Sequence, residues 1–157
     1  MQAMPILTLQ SATQLVDALE DYLDKSEAGY ALVIDRGGAI LSQHGIIPEN
    51  TDTQIVAALA AGSFAAVREL ALRVGEVEFK ALHQEGQQAH ILMSSIDDDD
   101  VLVTVFGPQT TLGLVRFYSA RVVKVLAKVL EETRNNQCET PIFSQTDLPT
   151  AGNMFLR

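Results

Sequence analysis

Thr51-Asp52-Thr53-Gln54-Ile55-Val56-Ala57-Ala58-Leu59-Ala60-Ala61-Gly62-Ser63-Phe64-Ala65-Ala66-Val67-Arg68-Glu69-Leu70-Ala71-Leu72-Arg73-Val74-Gly75 is the stretch whose reading decides the fold. Thr51 and Gln54 read as a capping box, and apart from Gly62 neither glycine nor proline interrupts the run before Gly75. The segment predicts a single helix about 35 Å long at ~1.5 Å per residue. Placed at steps of about 100°, Ile55, Val56, Leu59, Val67, Leu70 and Val74 gather on one side, which is expected to pack on the protein's own sheet. The other side carries Ala57, Ala58, Ala61, Ala65 and Leu72, with Phe64 on a flank and Arg68 and Glu69 as charges. A helix that is apolar most of the way round is normally covered all round. One sheet covers one side, so the small-residue side is expected to serve association. The alternative is that the alanines reflect helix propensity alone and tolerate solvent.

Working outward, Ser11 and Gln14 form a second capping-box pattern, followed by Leu15, Val16, Leu19, Tyr22 and Leu23 at helical spacing. Asp17, Glu20, Asp21 and Asp24 fall on the other side of that helix. Tyr30 to Ile34 and Ala39 to Leu41 have strand length and flank Asp35-Arg36-Gly37-Gly38, which predicts a hairpin. After the long helix, Val77 to His83, Ala89 to Ile96 and Val101 to Phe106 predict a three-strand meander. The last of these is apolar without alternation, as in a strand covered on both faces, so it should be central. A final helix is expected from Thr111 to Glu132, with Arg121, Lys124 and Lys128 as a basic stripe that is either solvated or docks an acidic patch. The expectation is one α+β domain over residues 11–133, in the order helix, two strands, helix, three strands, helix. A short segment 1–10 precedes it, and a flexible tail 134–157 rich in turn formers follows.

The chain has 157 residues and 47% apolar content, enough for one core. With 11 basic and 20 acidic residues and a net charge of −9, it repels nucleic acid and anionic membrane surfaces. No run is read as a membrane span, and Met1 to Gln10 lacks a basic signal-peptide region, which predicts a cytoplasmic protein. Cys138 is the single cysteine, which excludes an internal disulfide and a cysteine-based zinc site. The sequence contains neither GxxxxGK[ST] nor GxGxxG, no HExxH and no GxSxG. His44, His83 and His90 read as scattered strand-end or turn residues, and Asp97 to Asp100 as a solvated hairpin loop without EF-hand spacing. No catalytic residue, cofactor or metal is expected.

The order of these elements, the hairpin Ala31 to Gly38 and the alanine-rich helix together resemble the roadblock / dynein light chain family, in its bacterial MglB-like branch. The residues that carry the resemblance are Asp52-Thr53, Ala61-Gly62, Ala65-Ala66, Gly75-Glu76, Glu78-Phe79, Glu85-Gly86 and Thr111 to Arg116. The resemblance implies a central five-stranded, mostly antiparallel sheet with the long helix on one face and the two terminal helices on the other. It also implies homodimers joined sheet edge to sheet edge with paired long helices. The implied partner is a small Ras-like GTPase, whose hydrolysis would be accelerated by holding the GTPase's own residues in place. Carried over by position, Ala57, Ala61, Phe64, Ala65, Arg68, Glu69 and Leu72 would line the interface, with Thr13 and Gln14 near its edge. Met154, Phe155 and Leu156 are candidate tail contacts. Arg68 and Glu69 depart from the small residues expected late in the long helix. A dimeric scaffold that leaves hydrolysis unchanged, and a small-molecule sensor, stay open as alternatives.

Overall fold

The computed structural model describes residues 6–138. Helix α1 (Leu9–Ser26) is followed by strands β1 (Tyr30–Asp35) and β2 (Ile40–Gly45), and then by helix α2 (Thr53–Arg73). Strands β3 (Ala81–Glu85), β4 (His90–Ser95) and β5 (Asp100–Phe106) precede helix α3 (Leu112–Cys138). The order is the one expected; several boundaries differ. Helix α1 begins two residues earlier because Thr8, not Ser11, is its N-cap: the Ser11 amide donates to Thr8 Oγ1 at 3.1 Å and the Thr8 amide to Ser11 Oγ at 3.0 Å. Asp52 rather than Thr51 caps α2, its Oδ1 accepting from the amides of Gln54 and Ile55. Strand β3 starts at Ala81, leaving Val77 exposed, and α3 runs past Glu132 to Cys138.

All four strand pairings are antiparallel, in the spatial order β2-β1-β5-β4-β3. Strand β5 is central, and its run of buried residues has the cause the sequence suggested: both faces are covered. On one face Tyr30, Leu32 and Ile34 of β1, Met93 of β4 and Val101 and Val103 of β5 pack against α2. On the other face Ala31, Val33, Leu92, Leu102 and Phe106 pack against Leu15, Leu19 and Tyr22 of α1 and Val115, Val122, Leu126 and Leu130 of α3. Polar groups in this second layer are paired. Tyr22 Oη lies 2.8 Å from Thr104 Oγ1, and Ser94 Oγ 2.7 Å from Ser119 Oγ. Burial pushes the Tyr22 phenol up to about 12, so it stays a neutral hydrogen-bonding group.

The β1–β2 turn sits close under α2. Gly38 has φ +87°, and a Cβ there would lie 2.7 Å from Ala58 Cα, so glycine satisfies both the left-handed backbone and the close approach.

The acidic loop is not simply solvated. Asp97 Oδ1 accepts from the amides of Asp99 and Asp100, and the Asp100 side chain is fully buried against Arg134 of α3, with Nη2 to Oδ2 at 2.6 Å. Arg134 Nη1 also reaches Asp97 Oδ2 at 3.2 Å. Burial pushes the Asp100 carboxyl up to about 7 against the opposing pull of the guanidinium.

Helix α2 is rotated from the orientation expected: Ala57 and Ala61, expected outward, face the sheet, and Ile55, Leu59, Leu70 and Val74, expected inward, are exposed, whereas Ala58, Ala65 and Leu72 are exposed as expected. Ala60, Phe64 and Ala71 are also buried on the sheet. The strands beneath already supply bulk through Leu32, Ile34, Met93 and Val103, so the helix side that fits is the small one, with Phe64 as its single large plug. By length and composition alone the helix is long and apolar enough to cross a membrane, a test that core helices also pass. Here it is packed on the sheet along one side.

Candidate functional site

Helix α2 presents Ile55, Leu59 and Leu70 outward as a stripe, Leu59 being 68% exposed. The exposed small residues Ala58, Gly62, Ala65 and Ala66 share the outward half of the helix, with nothing within 4 Å of a Cβ built at Gly62. Isolated exposed leucines are ordinary, but a contiguous apolar stripe on an unpartnered helix is the signature of an interaction surface. The outward half of α2 thus carries both this stripe and the small residues Ala58 and Ala65.

Beside this stripe, the second half of α2 and the ends of β1 and β5 enclose a cleft of about 290 Å³. Ala61, Phe64, Ala65, Arg68, Glu69 and Leu72 line it, joined by Arg36 and Val101. Six of the residues singled out from the sequence are thus brought together. Ala65, Glu69 and Leu72 are exposed and Arg68 half-buried, while Ala61 and Phe64 form the buried floor. Ala57 is fully buried under the helix and reaches no surface. Thr13 and Gln14 are exposed on α1, in the layer across the sheet from α2, so within one subunit they do not border the cleft. Met154, Phe155 and Leu156 lie outside the described residues.

Two of the charged side chains of the cleft, Arg68 and Glu69, are engaged inside the subunit. Arg68 Nη1 donates to the Asp98 carbonyl at 3.0 Å, and Glu69 pairs with Arg73 at 3.1 Å. The Arg36 amide donates to the Asp99 carbonyl, so the 97–100 loop is tied to α2, to the β1–β2 turn and, through Arg134, to α3. His83 and His90 are not scattered: Nε2 of one lies 3.3 Å from Nδ1 of the other, and both rings stack with Phe106. Among the described residues, no group of three potential metal ligands converges.

Sequence reasoning missed Arg36 and Val101 as cleft walls, and it placed Ile55, Leu59 and Leu70 inward. A signal for the correct face was present. Arg73 lies five full turns after Ile55 and shares its direction from the axis, so one charged side chain points the stripe toward water.

These features define a class: a small α+β domain that holds an antiparallel sheet between a helix pair and one helix whose outer apolar face is uncovered. The chain belongs to the Roadblock/LC7 domain family, which it matches over residues 15–106. It is similar to the gliding protein MglB of Thermus thermophilus, with 29% identity, a TM-score of 0.78, and coverage of 84% of this chain and 99% of that one. It is also similar to an MglB solved in a tetrameric arrangement, at 28% identity and a TM-score of 0.80 over 85% and 99% of the two chains. For MglB of Myxococcus xanthus the identity is 29% and the TM-score 0.75, over 82% and 96%.

Proposed function

We propose that this protein is a cytoplasmic homodimer that regulates a small Ras-like GTPase. In this reading Ile55, Leu59 and Leu70 of two subunits cover one another, and the GTPase docks on the adjoining cleft around Ala65 and Leu72. The observation that carries the reading is the uncovered apolar face of α2, on a fold similar to MglB proteins along more than four-fifths of the chain. Acceleration of hydrolysis would come from holding the GTPase's own residues in position rather than from an inserted side chain. Arg68 fits this view, because its guanidinium is committed to the Asp98 carbonyl.

The test is single-turnover GTP hydrolysis by a Ras-like GTPase with and without this protein. The expected result is a faster rate that Ala65→Arg abolishes while circular dichroism shows an intact fold. An unchanged rate together with no binding contradicts the proposal. A second reading, a recruiting scaffold, is favoured by the internal pairing of both Arg68 and Glu69, which leaves the cleft few free polar groups. It predicts binding in the same assay with no change in rate.

A further inference from the structure

The outer surface of the α1–α3 layer faces away from α2, and the proposed function does not use it. On α1 the exposed Asp17, Glu20, Asp21 and Asp24 fall within an arc of about 100°, opposite the buried Leu15 and Leu19. On α3 Phe117, Arg121, Lys124 and Lys128 fall within an arc of about 60°, opposite the buried Val122 and Leu126. Among the described residues Arg121, Lys124 and Lys128 make no ion pair, and neither do Asp17, Glu20 and Asp24. Three of the eleven basic residues of a chain with net charge −9 therefore stand on one ridge without counter-ions. An apolar element accompanies them: Phe117 is 55% exposed, with the Arg121 guanidinium 5.5 Å from its ring centroid, and Val125 is 51% exposed.

The two ridges run side by side at one level. A cleft of about 420 Å³ between the helices is walled by Ala18 and Asp21 from α1 and by Tyr118, Arg121 and Val125 from α3. Such a face is self-complementary. A two-fold axis running along the cleft exchanges its left and right sides, which sets basic ridge on acidic ridge twice, whereas an axis across the helices sets like on like. We propose that this surface binds a second copy of the chain, α3 of each copy lying on α1 of the other, with Phe117 and Val125 covered at the contact. An anionic lipid surface fits less well, because the acidic ridge beside the cations would repel it. The contact is separate from the outer face of α2.

Sedimentation equilibrium of the full chain at low salt, about 0.05 M, and at high salt, about 1 M where the screening length is roughly 3 Å, tests the proposal. The expected mass at low salt is at least twice that at high salt, because each dimer joined through α2 carries two such faces. Arg121→Glu/Lys124→Glu/Lys128→Glu and Asp17→Lys/Glu20→Lys/Asp24→Lys, each folded by circular dichroism, lose the low-salt species. Mixing the two variants restores it, since both contacts of the mixed pair are again opposite in charge. A Leu59→Glu change, which addresses the α2 face, lowers the mass while leaving the salt dependence in place. Equal masses at both salts, wild-type behaviour of either charge-reversed variant, or no complex on mixing overturns the proposal.

Discussion

Arg134→Ala removes the cation that holds the 97–100 loop against α3, and the structure lets its cost be worked out. Arg134 Nη2 sits 2.6 Å from Asp100 Oδ2, and the Asp100 side chain is fully buried, while Asp97 at 3.2 Å keeps 29% exposure. Without the guanidinium, Asp100 is a buried carboxylate beside a second carboxylate. Breaking such a pair from one side costs about 3–5 kcal/mol, and the partial exposure of Asp97 favours the lower figure. That is a large part of the roughly 5–15 kcal/mol that holds a domain together, and it corresponds to a fall in Tm of roughly 10 °C. The sign of the pH dependence follows from Asp100. Its folded carboxyl is raised to about 7 from 3.8, so between those values the folded chain holds a proton the unfolded chain has released. Stability from this group is greatest at acidic pH and falls as pH rises through that window. Losing Arg134 removes the two influences that lower this carboxyl, so the variant keeps losing stability to higher pH. Urea unfolding followed by circular dichroism at about pH 5 and about pH 8 should show the gap between wild type and variant widening at the higher pH. A loss below about 1 kcal/mol, or one equal at both pH values, refutes the reasoning.

Four further changes test the packing. Phe64→Ala should cost about 3–5 kcal/mol and Ala57→Leu about 1–3 kcal/mol in urea unfolding, because both residues face the sheet; neutrality of either would restore the opposite orientation of α2. Tyr22→Phe leaves the buried Thr104 hydroxyl without its 2.8 Å partner and should cost about 1–2 kcal/mol, read from the thermal midpoint. Gly38→Ala puts a Cβ against the Ala58 backbone at φ +87° and should destabilise by more than about 1 kcal/mol, whereas a wild-type midpoint would show that the turn can shift.

The element order was legible because each element carries its own periodicity. The short apolar run of β1 before its Gly-Gly turn, the unbroken apolar run of β5 and the single buried stripe of α1 can each be read without knowing the neighbours. The faces of α2 could not be read this way. Hydrophobicity is high all round that helix, and which side meets the sheet depends on bulk contributed by Leu32, Met93 and Val103, residues distant in sequence. The cleft was half legible for the same reason: its helical residues share one segment, while Arg36 arrives from the β1–β2 turn and Val101 from β5. The His83–His90 contact and the Arg134–Asp100 pair join residues 7 and 34 positions apart, and local spacing carries no trace of either. Caps shifted by one to three residues because several adjacent hydroxyl and carboxylate side chains compete for the same amides.

The proposed role rests on a helix whose outward leucines need cover from a second molecule. Sedimentation equilibrium at about 1 M salt, where charged contacts are screened, compares wild type with Leu59→Glu most directly. The account predicts twice the 17.0 kDa chain mass for wild type and a folded species of single-chain mass for the variant. A single-chain mass for both, or an unchanged dimer in the variant, contradicts it.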